Sequence, residues 1–457
     1  MWLNLQKRFL TITARIGISA ILTFCLTGCG TSRNAPTLVR FWNGFTGPDG
    51  TRALQIVRQF NQENPDIEVR MQRIEWGTYY NKLYVAGIGK RAPEVFVLHT
   101  SALRRFEETG FVRPIDDLLG DFPVNDLDAN VWDATVYKGK HYGLPMDFHP
   151  IGLYYNRKLF REAGIVDANG EAKPPRTKSE FLEDARKLTK TSNNAALSQW
   201  GYAYSNAPLH VYSLMKQYGG KFFTPDLSKC LLNSPENVAA LQFCVDMILK
   251  DKTAPSPDAS DPWIGFRQGR VAMTWNGIFM LPDLQKQKDL DFAGFPVAQI
   301  GEQSAVQAGS HNFCLNANMG EKKRNAAWKF AKFYSDHSLD WAEAGQVPVR
   351  KSLRQSPRFA KMTVQSQFAN QISYGAYFPQ IPFNQEFETE FNYAVERTLR
   401  GSVTPKEALD AATAKIEQVI ARRREDRQSV TGVASPRRQP LPILKPSVLK
   451  QNPRKKR

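Results

Sequence analysis

Hydrophobic and polar positions alternate between two periods along the first part of the chain. Short runs at 38–42, 67–71 and 94–99 are typical of β-strands, and the last has a continuous apolar centre, as in a strand buried on both faces. Between them, 51–64 and 78–88 place apolar residues on one face at helical spacing. The order strand, helix, strand, helix, strand predicts an α/β fold with doubly wound sheets and right-handed crossovers.

Later helices are predicted from their N-terminal signals. A capping box begins at Thr177, and Ser234 precedes a proline at a first helical position. Thr404 begins a capping box and also precedes such a proline. The last of these helices is expected to end near Ala421. The apolar period is then lost, so that 421–457 is predicted to be a basic, disordered tail.

The length and charge of the chain limit the classes of protein to which it can belong. A length of 457 residues predicts two or three domains, and 42% hydrophobic residues exclude a wholly disordered chain. The net charge is +17, but it comes mainly from the two ends. Residues 1–28 have three basic and no acidic residues, and 421–457 have twelve basic against two acidic ones. Because the body is nearly balanced, we expect no nucleic-acid partner.

The N-terminus has the pattern of an export signal. Basic residues precede an apolar run of about twelve residues, which is too short to span a membrane. The run ends in Leu26-Thr-Gly-Cys29, which resembles the lipobox of bacterial lipoproteins. Residues 1–28 are therefore predicted to be a lipoprotein signal peptide, Cys29 the lipidated first residue, and 29–37 a tether. An ordinary signal peptide and an uncleaved anchor are the alternatives.

Cysteine and histidine spacing predicts no metal site and no cofactor. The three cysteines of the body, Cys230, Cys244 and Cys314, form no CxxC pair. The six histidines show no HExxH or related spacing. Buried free thiols are expected, although an oxidising compartment permits a bridge between Cys230 and Cys244.

An ordered series of motifs covers most of the body. The motifs are Phe41-Trp-Asn-Gly-Phe-Thr-Gly-Pro-Asp-Gly50, Phe60–Pro65, Ala92–Phe96, Lys138–Pro145, Gly152–Asn156, Phe160–Gly164, Phe266–Met273, Ala326–Phe330 and Val347–Arg350. From about 38 to 420 the chain resembles the family 1 extracellular solute-binding proteins. These are the sugar-binding lipoproteins of bacterial ABC importers and are similar to maltose-binding protein. One departure is that Trp275 lies before Gly277, where the family often has a tryptophan just after the glycine.

The resemblance implies a two-lobe periplasmic-binding-protein fold of type II, with a ligand cleft between lobes joined by hinge strands. Lobe one is expected at 38–147 plus 299–347, and lobe two at 148–298 plus 348–420. Crossings between the lobes are expected near 147–152, 295–298 and 347–350. Closure of such a cleft follows when a ligand contacts both lobes and favours the closed population.

The resemblance also suggests where a sugar would bind. Sugars need aromatic rings for their apolar faces and directed polar groups for their hydroxyls. Polar and aromatic residues follow three predicted strands, where ligands of open α/β sheets lie. The candidate ligand-binding residues are Trp42, Asn43, Trp76, Thr100, Asp147, His149, Trp275, Gly277, Ser310, His311 and Arg350.

Roles within this set are expected as follows. Trp42 and Trp275 are predicted stacking faces, and Asp147 a hydroxyl acceptor at the hinge. The structural alternatives are a core position for Trp42, a staple on the following helix for Trp76, and a turn carboxylate for Asp147. Arg350 is expected either to clamp a ligand oxygen or to pair with an acid.

The resemblance implies a monomeric, lipid-anchored, extracytoplasmic binding protein without catalytic residues. Its partners would be a sugar or oligosaccharide, the transmembrane subunits of an ABC importer, and the membrane through Cys29. Three alternatives are kept. The same fold could bind a glycerol phosphodiester, polyamine or metal chelate; the chain could be a secreted glycosidase with a carboxylate pair; or the basic tail could bind a polyanion.

Overall fold

A computed structural model describes residues 35–192, 198–258 and 261–430. The predicted signal peptide and Cys29 lie outside the described residues. The described chain forms two mixed β-sheets covered by helices, with a two-stranded ribbon beside the first sheet. We call the part around the first sheet lobe one and the part around the second sheet lobe two. The predicted α/β class is confirmed, although each sheet contains antiparallel pairs besides the parallel ones.

Lobe one is built on a sheet in the order β2-β1-β3-β13-β4, with β7 also beside β13. Its strands are β1 (Thr37–Asn43), β2 (Ile67–Arg73), β3 (Val95–His99), β4 (Val112–Arg113), β7 (Leu144–Pro145) and β13 (His311–Asn316), and the ribbon is β5 (Val136–Tyr137) and β6 (Lys140–His141). Strands β1, β2 and β3 are parallel, whereas β13 runs antiparallel to β3. The first three strands therefore form the parallel βαβαβ unit that the sequence predicts.

Lobe two is built on a sheet in the order β14-β12-β8-β10-β9, with β11 also paired to β8. Its strands are β8 (His149–Asn156), β9 (Trp200–Ala203), β10 (Val271–Gly277), β11 (Phe292–Phe295), β12 (Val306–Gly309) and β14 (Gly375–Ala376). Strand β8 is buried along its whole length. It is the central strand because β10 flanks it on one side and β11 and β12 on the other.

Helices cover both sheets. In chain order they are α1 (Pro48–Glu63), α2 (Trp76–Ile88), α3 (Leu103–Glu107), α4 (Ala129–Asp133), α5 (Arg157–Glu162), α6 (Lys178–Lys187), α7 (Ala207–Gln217), α8 (Pro235–Leu249), α9 (Pro262–Arg267), α10 (Leu281–Leu284), α11 (Glu321–Asp336), α12 (Ser338–Ala342), α13 (Lys351–Arg354), α14 (Pro357–Ala360), α15 (Thr363–Ala369), α16 (Asn384–Leu399) and α17 (Pro405–Val430). The capping box at Thr177 is present, and the Ser234 side chain caps α8.

One crossing between the lobes lies elsewhere than expected. Strand β12 pairs with β8, so lobe two extends to Gly309. Strand β13 starts at His311 and pairs with β3 of lobe one. The chain thus crosses at 309–311, not near 295–298, because β11 and β12 both belong to the second sheet.

Two further expectations concern single features. Helix α17 continues to Val430, nine residues beyond the predicted end at Ala421, so the basic segment begins within a helix. The cysteines Cys230, Cys244 and Cys314 are buried free thiols, so the possible bridge between the first two is not formed.

Candidate functional site

The floor of the interlobe cleft is formed where three segments meet at the hinge. The first links β7 to β8 and contains Asp147, and the second is the crossing into β13 at His311. The third contains Val347, whose backbone exchanges two hydrogen bonds with Phe148, of 2.8 and 3.0 Å. The Met146 N–H donates to the His311 carbonyl at 2.8 Å and joins the first two segments.

Asp147 is the central group of this floor. Its side chain is fully buried, and each carboxylate oxygen accepts two hydrogen bonds. Oδ1 accepts from His149 Nδ1 at 2.9 Å and from the His311 N–H at 3.0 Å. Oδ2 accepts from His311 Nδ1 at 2.7 Å and from Trp341 Nε1 at 2.7 Å.

These donors decide the charge and the role of Asp147. Burial opposes ionisation, but His311 and His149 hold the pKa of this carboxyl well below its usual range. Four protein donors leave the carboxylate no free, exposed oxygen for a ligand. The predicted role of Asp147 as a sugar-hydroxyl acceptor is therefore not supported, because the carboxylate orients two imidazoles instead.

Three histidine rings cluster beside this carboxylate. The ring centroids of His149 and His311 are 4.3 Å apart, and His99 lies 4.6 Å from His311 and 5.5 Å from His149. The Tyr80 hydroxyl forms a hydrogen bond with His99 Nδ1. Burial lowers the pKa of His149 and of His99, and the neighbouring His311 lowers both further. The cluster escaped prediction because its members come from three segments with no metal-binding spacing.

Aromatic side chains cover the histidine cluster. The ring of Trp76, at the start of α2, lies 4.4 Å from the His99 ring and 5.9 Å from the His311 ring, nearly parallel to the latter. Gly44 allows this position of Trp76, because glycine has no Cβ. A Cβ at residue 44 would be only 2.1 Å from atoms of the indole ring. Phe45 packs edge-on against His311 at 4.9 Å. Trp76 is only partly buried, so part of its surface is exposed.

The two predicted residues at the end of β1 differ in placement. Trp42 packs against the α2 side of the lobe-one sheet, with the Lys82 ammonium 5.3 Å from its ring. Trp42 is only partly buried, so its role as a stacking face stays a prediction. Asn43 is buried, and its Oδ1 accepts from the Phe45 N–H at 3.2 Å. Its Nδ2 has no hydrogen-bond partner among the described residues and is a free donor.

The predicted lobe-two residues lie inside the protein. Trp275 is 1% exposed and packs among Phe181, Tyr202 and His210. It therefore offers no face to a ligand in this conformation, because alternate residues of β10 point into the lobe-two core. Gly277 accepts a hydrogen bond from the Tyr154 hydroxyl at 3.3 Å through its carbonyl.

The remaining predicted residues have structural partners. The Thr100 N–H donates to the Ser310 carbonyl at 3.0 Å, which fixes the end of β3 against the crossing strand. Arg350 pairs with Asp126 at 2.5 Å and with Asp336 at 2.8 Å. Of the two roles kept open for Arg350, pairing with acids is the one observed, and the ligand clamp is not supported.

Residues that the sequence analysis missed lie across the cleft from lobe one. Arg105 Nη1 donates to Gln385 Oε1 at 2.5 Å, and Arg423 of α17 pairs with Glu108 at 3.0 Å. Glu388 of α16 is a further missed residue: burial raises the pKa of its carboxyl, and Asn384 and then Ser101 of lobe one oppose that rise. No sequence pattern signals these contacts, because the partners are about 280 or more residues apart.

The buried hydroxyl of Tyr377 is a further missed group. It has no hydrogen-bond partner among the described residues. Burial raises the pKa of this hydroxyl, and the carboxylates of Asp128 and Asp147 raise it further. Like Asn43 Nδ2, it is a buried polar group without a hydrogen-bond partner in the described part of the chain.

Comparisons with known proteins agree with this architecture. The profile of a family described as bacterial extracellular solute-binding protein matches residues 46–338. A maltotriose-binding protein of Pyrococcus abyssi is 23% identical over 328 residues, which are 70% of this chain and 68% of that protein.

In the described part of the chain, no helix has the length and apolar character needed to cross a membrane.

Solved structures extend the match to the whole fold. An ABC substrate-binding protein from Listeria monocytogenes in complex with cycloalternan has a TM-score of 0.71 and 25% identity, covering 85% of this chain and 99% of that one. The sugar-binding protein MalE of Xanthomonas citri has a TM-score of 0.75 and 20% identity, covering 86% and 99%, and shows the fold alone. The family consists of binding proteins and not of enzymes. With its two lobes, its hinge and the profile match over most of its body, this chain belongs to the bacterial extracellular solute-binding proteins.

Proposed function

We propose that the protein captures a sugar or oligosaccharide between its lobes and delivers it to the transmembrane subunits of an ABC importer. The observation that carries this proposal is the two-lobe fold shared along nearly the whole body with a cycloalternan complex at 25% identity. The maltotriose-binding relative supports the same ligand class. Contacts such as Arg105 with Gln385 join the lobes across the cleft, as expected of a protein that closes around its ligand.

The proposed ligand contacts combine one exposed ring with unpaired polar groups. Trp76 presents half-buried ring surface above the hinge, which suits the apolar face of a sugar ring. Asn43 Nδ2 and the Tyr377 hydroxyl have no partner within 35–192, 198–258 and 261–430, and a buried polar group without a partner costs about 1–3 kcal/mol. Sugar hydroxyls would supply those partners. Glu388, on the lobe-two side, is the proposed acceptor for a further hydroxyl.

The test is calorimetric titration of a carbohydrate panel, after a thermal-shift screen of the same compounds. A ligand at one hundred times its dissociation constant adds about 2.7 kcal/mol to the stability of the folded protein. Trp76→Ala should weaken binding by about 2–4 kcal/mol, as truncation of a central aromatic contact does. Trp263→Ala is the matched control, because Trp263 is another partly buried tryptophan that packs on Phe266 and donates from Nε1 to Asp283. Equal affinity in both variants and the parent would refute the role of Trp76.

Two other ligand classes are outcomes of the same screen. Binding of a glycerol phosphodiester or a polyamine, with no response to any carbohydrate, would agree with a solute-binding fold but refute carbohydrate as the ligand. Steady consumption of a glycoside by the purified protein would refute the binding-protein function.

A lipid anchor at Cys29 is the proposed means of membrane attachment. The support is the basic start, the short apolar run and the sequence Leu26-Thr-Gly-Cys29. Mass spectrometry of the N-terminal peptide should find a diacylglyceryl group on Cys29. Cys29→Ala should abolish the lipid and release the protein from membranes. An N-terminal peptide without lipid mass would refute the anchor.

A further inference from the structure

The hinge cluster has the composition and the surroundings of a metal site. His99, His149 and His311 are three of the six histidines in the sequence, and one ring nitrogen from each lies within 4.8 Å of the other two. We propose that they bind one divalent transition-metal ion of the zinc class. This site adjoins Trp76, the proposed stacking ring, but does not depend on carbohydrate binding.

The hydrogen bonds to Asp147 fix the tautomers of His149 and His311. An ionised carboxylate only accepts hydrogen bonds, so His149 and His311 must both carry a proton at the Nδ1 that contacts Asp147. In the neutral form of each ring, Nε2 then keeps a lone pair. In His99 the Tyr80 hydroxyl contacts Nδ1. None of the described residues forms a hydrogen bond with Nε2 of these rings, and His99 Nε2 offers a third lone pair in the tautomer in which Nδ1–H donates to the Tyr80 hydroxyl.

The Nδ1–H groups of His149 and His311 form the kind of hydrogen bond that is typical of metal-binding histidines. Such histidines typically donate their other ring N–H to a carboxylate, which fixes the ring and strengthens it as a ligand. Here one buried carboxylate, Asp147, does this for two rings at 2.9 and 2.7 Å. Trp341 holds the same carboxylate at 2.7 Å. This support also supplies a negative charge near the cation.

The ligand set selects the metal. Imidazole suits zinc and other late divalent transition ions, whereas magnesium and calcium prefer oxygen ligands. Zinc–nitrogen bonds are about 2.0–2.1 Å, so tetrahedral ligands lie about 3.4 Å apart. One ring nitrogen of each histidine already lies within 4.8 Å of one from each of the others, so these atoms need to approach by at most about 1.4 Å to reach that spacing. Three protein ligands leave a fourth position for water or a ligand oxygen.

The position of the cluster gives the ion a mechanical role. His99 and His311 are cross-strand partners in lobe one, whereas His149 pairs with Gly309 in lobe two. An ion bound by all three would tie the two sheets together at the point where the chain crosses. We therefore expect the ion to stiffen the hinge and to change the balance between open and closed lobes.

The test uses the whole purified protein after treatment with a chelator. Titration with zinc chloride in a calorimeter should show one ion per chain, and cobalt(II) should give the intense visible bands of a four-coordinate site. His149→Ala and His311→Ala should each weaken zinc binding more than tenfold. Asp147→Asn should weaken it about tenfold to a hundredfold, as loss of a supporting carboxylate does. His337→Ala is the control and should bind zinc like the parent.

Several results would overturn the proposal. They are absence of zinc uptake by the parent, cobalt bands of an octahedral aqua ion, or unchanged affinity in the His149→Ala and His311→Ala double variant. The cobalt spectrum of the parent decides the matter even if a variant fails to fold. Carbohydrate titrations with and without zinc keep the proposals apart, because loss of one binding event with the other intact refutes only that one.

Discussion

Buried carboxyl groups of this protein are stabilised in two opposite ways. Asp147 stays ionised because four donors surround it, which offsets the cost of burying a charge. Glu107 lies in α3 with 8% of its surface exposed, and burial raises the pKa of its carboxyl to about 8. Arg104 lowers this pKa less than burial raises it. Asp147 is therefore negatively charged in the folded protein, whereas Glu107 is mostly protonated at neutral pH.

The proton on Glu107 makes stability depend on pH. Its folded pKa of about 8 exceeds the ordinary value of 4.5, so the folded state holds more protons between these values. The stabilisation is full below about pH 4.5 and is lost as the pH rises towards about 8. Urea unfolding at pH 5, 6.5 and 8 should show that the free energy of unfolding of the parent falls as the pH rises. In Glu107→Gln this fall should be smaller by on the order of 1 kcal/mol or more, because the variant has no carboxyl group to ionise at this position.

The control for this measurement is Glu302→Gln, because Glu302 is exposed on a loop of lobe two. It should decline with pH in parallel with the parent. Parallel slopes for all three proteins would show that Glu107 is ionised in the folded state.

At the scale of the elements, the start of β8 and the end of β12 form the hinge as a pair. Gly309 faces His149 in an antiparallel register, and the His149 ring lies over the glycine. A Cβ at position 309 would be 2.1 Å from His149 Nε2. The missing side chain is therefore what allows His149 to lie beside His311 and Asp147.

Gly309→Ala should displace the His149 ring and destabilise the protein by about 1–3 kcal/mol, the usual cost of overfilling a packed site. Denaturant unfolding measures this cost. Gly320→Ala is the matched control, since a Cβ there meets no atom within 4 Å. Equal stability of both variants would mean that His149 has another packed position open to it.

At the scale of the whole molecule, contacts across the cleft mouth oppose opening of the lobes. Arg105 reaches Gln385 of α16, and Arg423 of α17 reaches Glu108. Both contacts are partly exposed, so each is worth a few tenths of a kcal/mol up to about 1 kcal/mol. Such weak contacts suit a cleft that must open to release its ligand.

Arg105→Ala combined with Arg423→Ala should shift the unliganded protein towards the open form. Small-angle X-ray scattering should report a larger radius of gyration, and carbohydrate affinity should fall by up to about tenfold. Arg400→Ala is the control, because Arg400 pairs with Asp258 within lobe two at 3.1 Å. An unchanged radius and affinity in the double variant would show that these contacts do not hold the lobes together.

Local patterns predict the elements of this protein well. The strands and helices of the first unit, and the capped starts of α6 and α8, rest on side-chain period and on residues within one turn of each other. Helix α17 is the exception, because it continues through the arginines after Ala421 although the apolar period has ended. Part of that extension is held by long-range partners of Arg423 and Arg424, which no local signal shows.

The sequence by itself determined the α/β class, the family resemblance and the importance of the segment around Asp147, because these follow from local period and ordered motifs. The tertiary structure alone decided what that segment does. It turned Asp147 inward onto His149 and His311, placed Trp275 in a core, and paired Arg350 with acids. The physical reason is that a side chain's role depends on which groups from distant segments reach it, and sequence spacing contains no such distances.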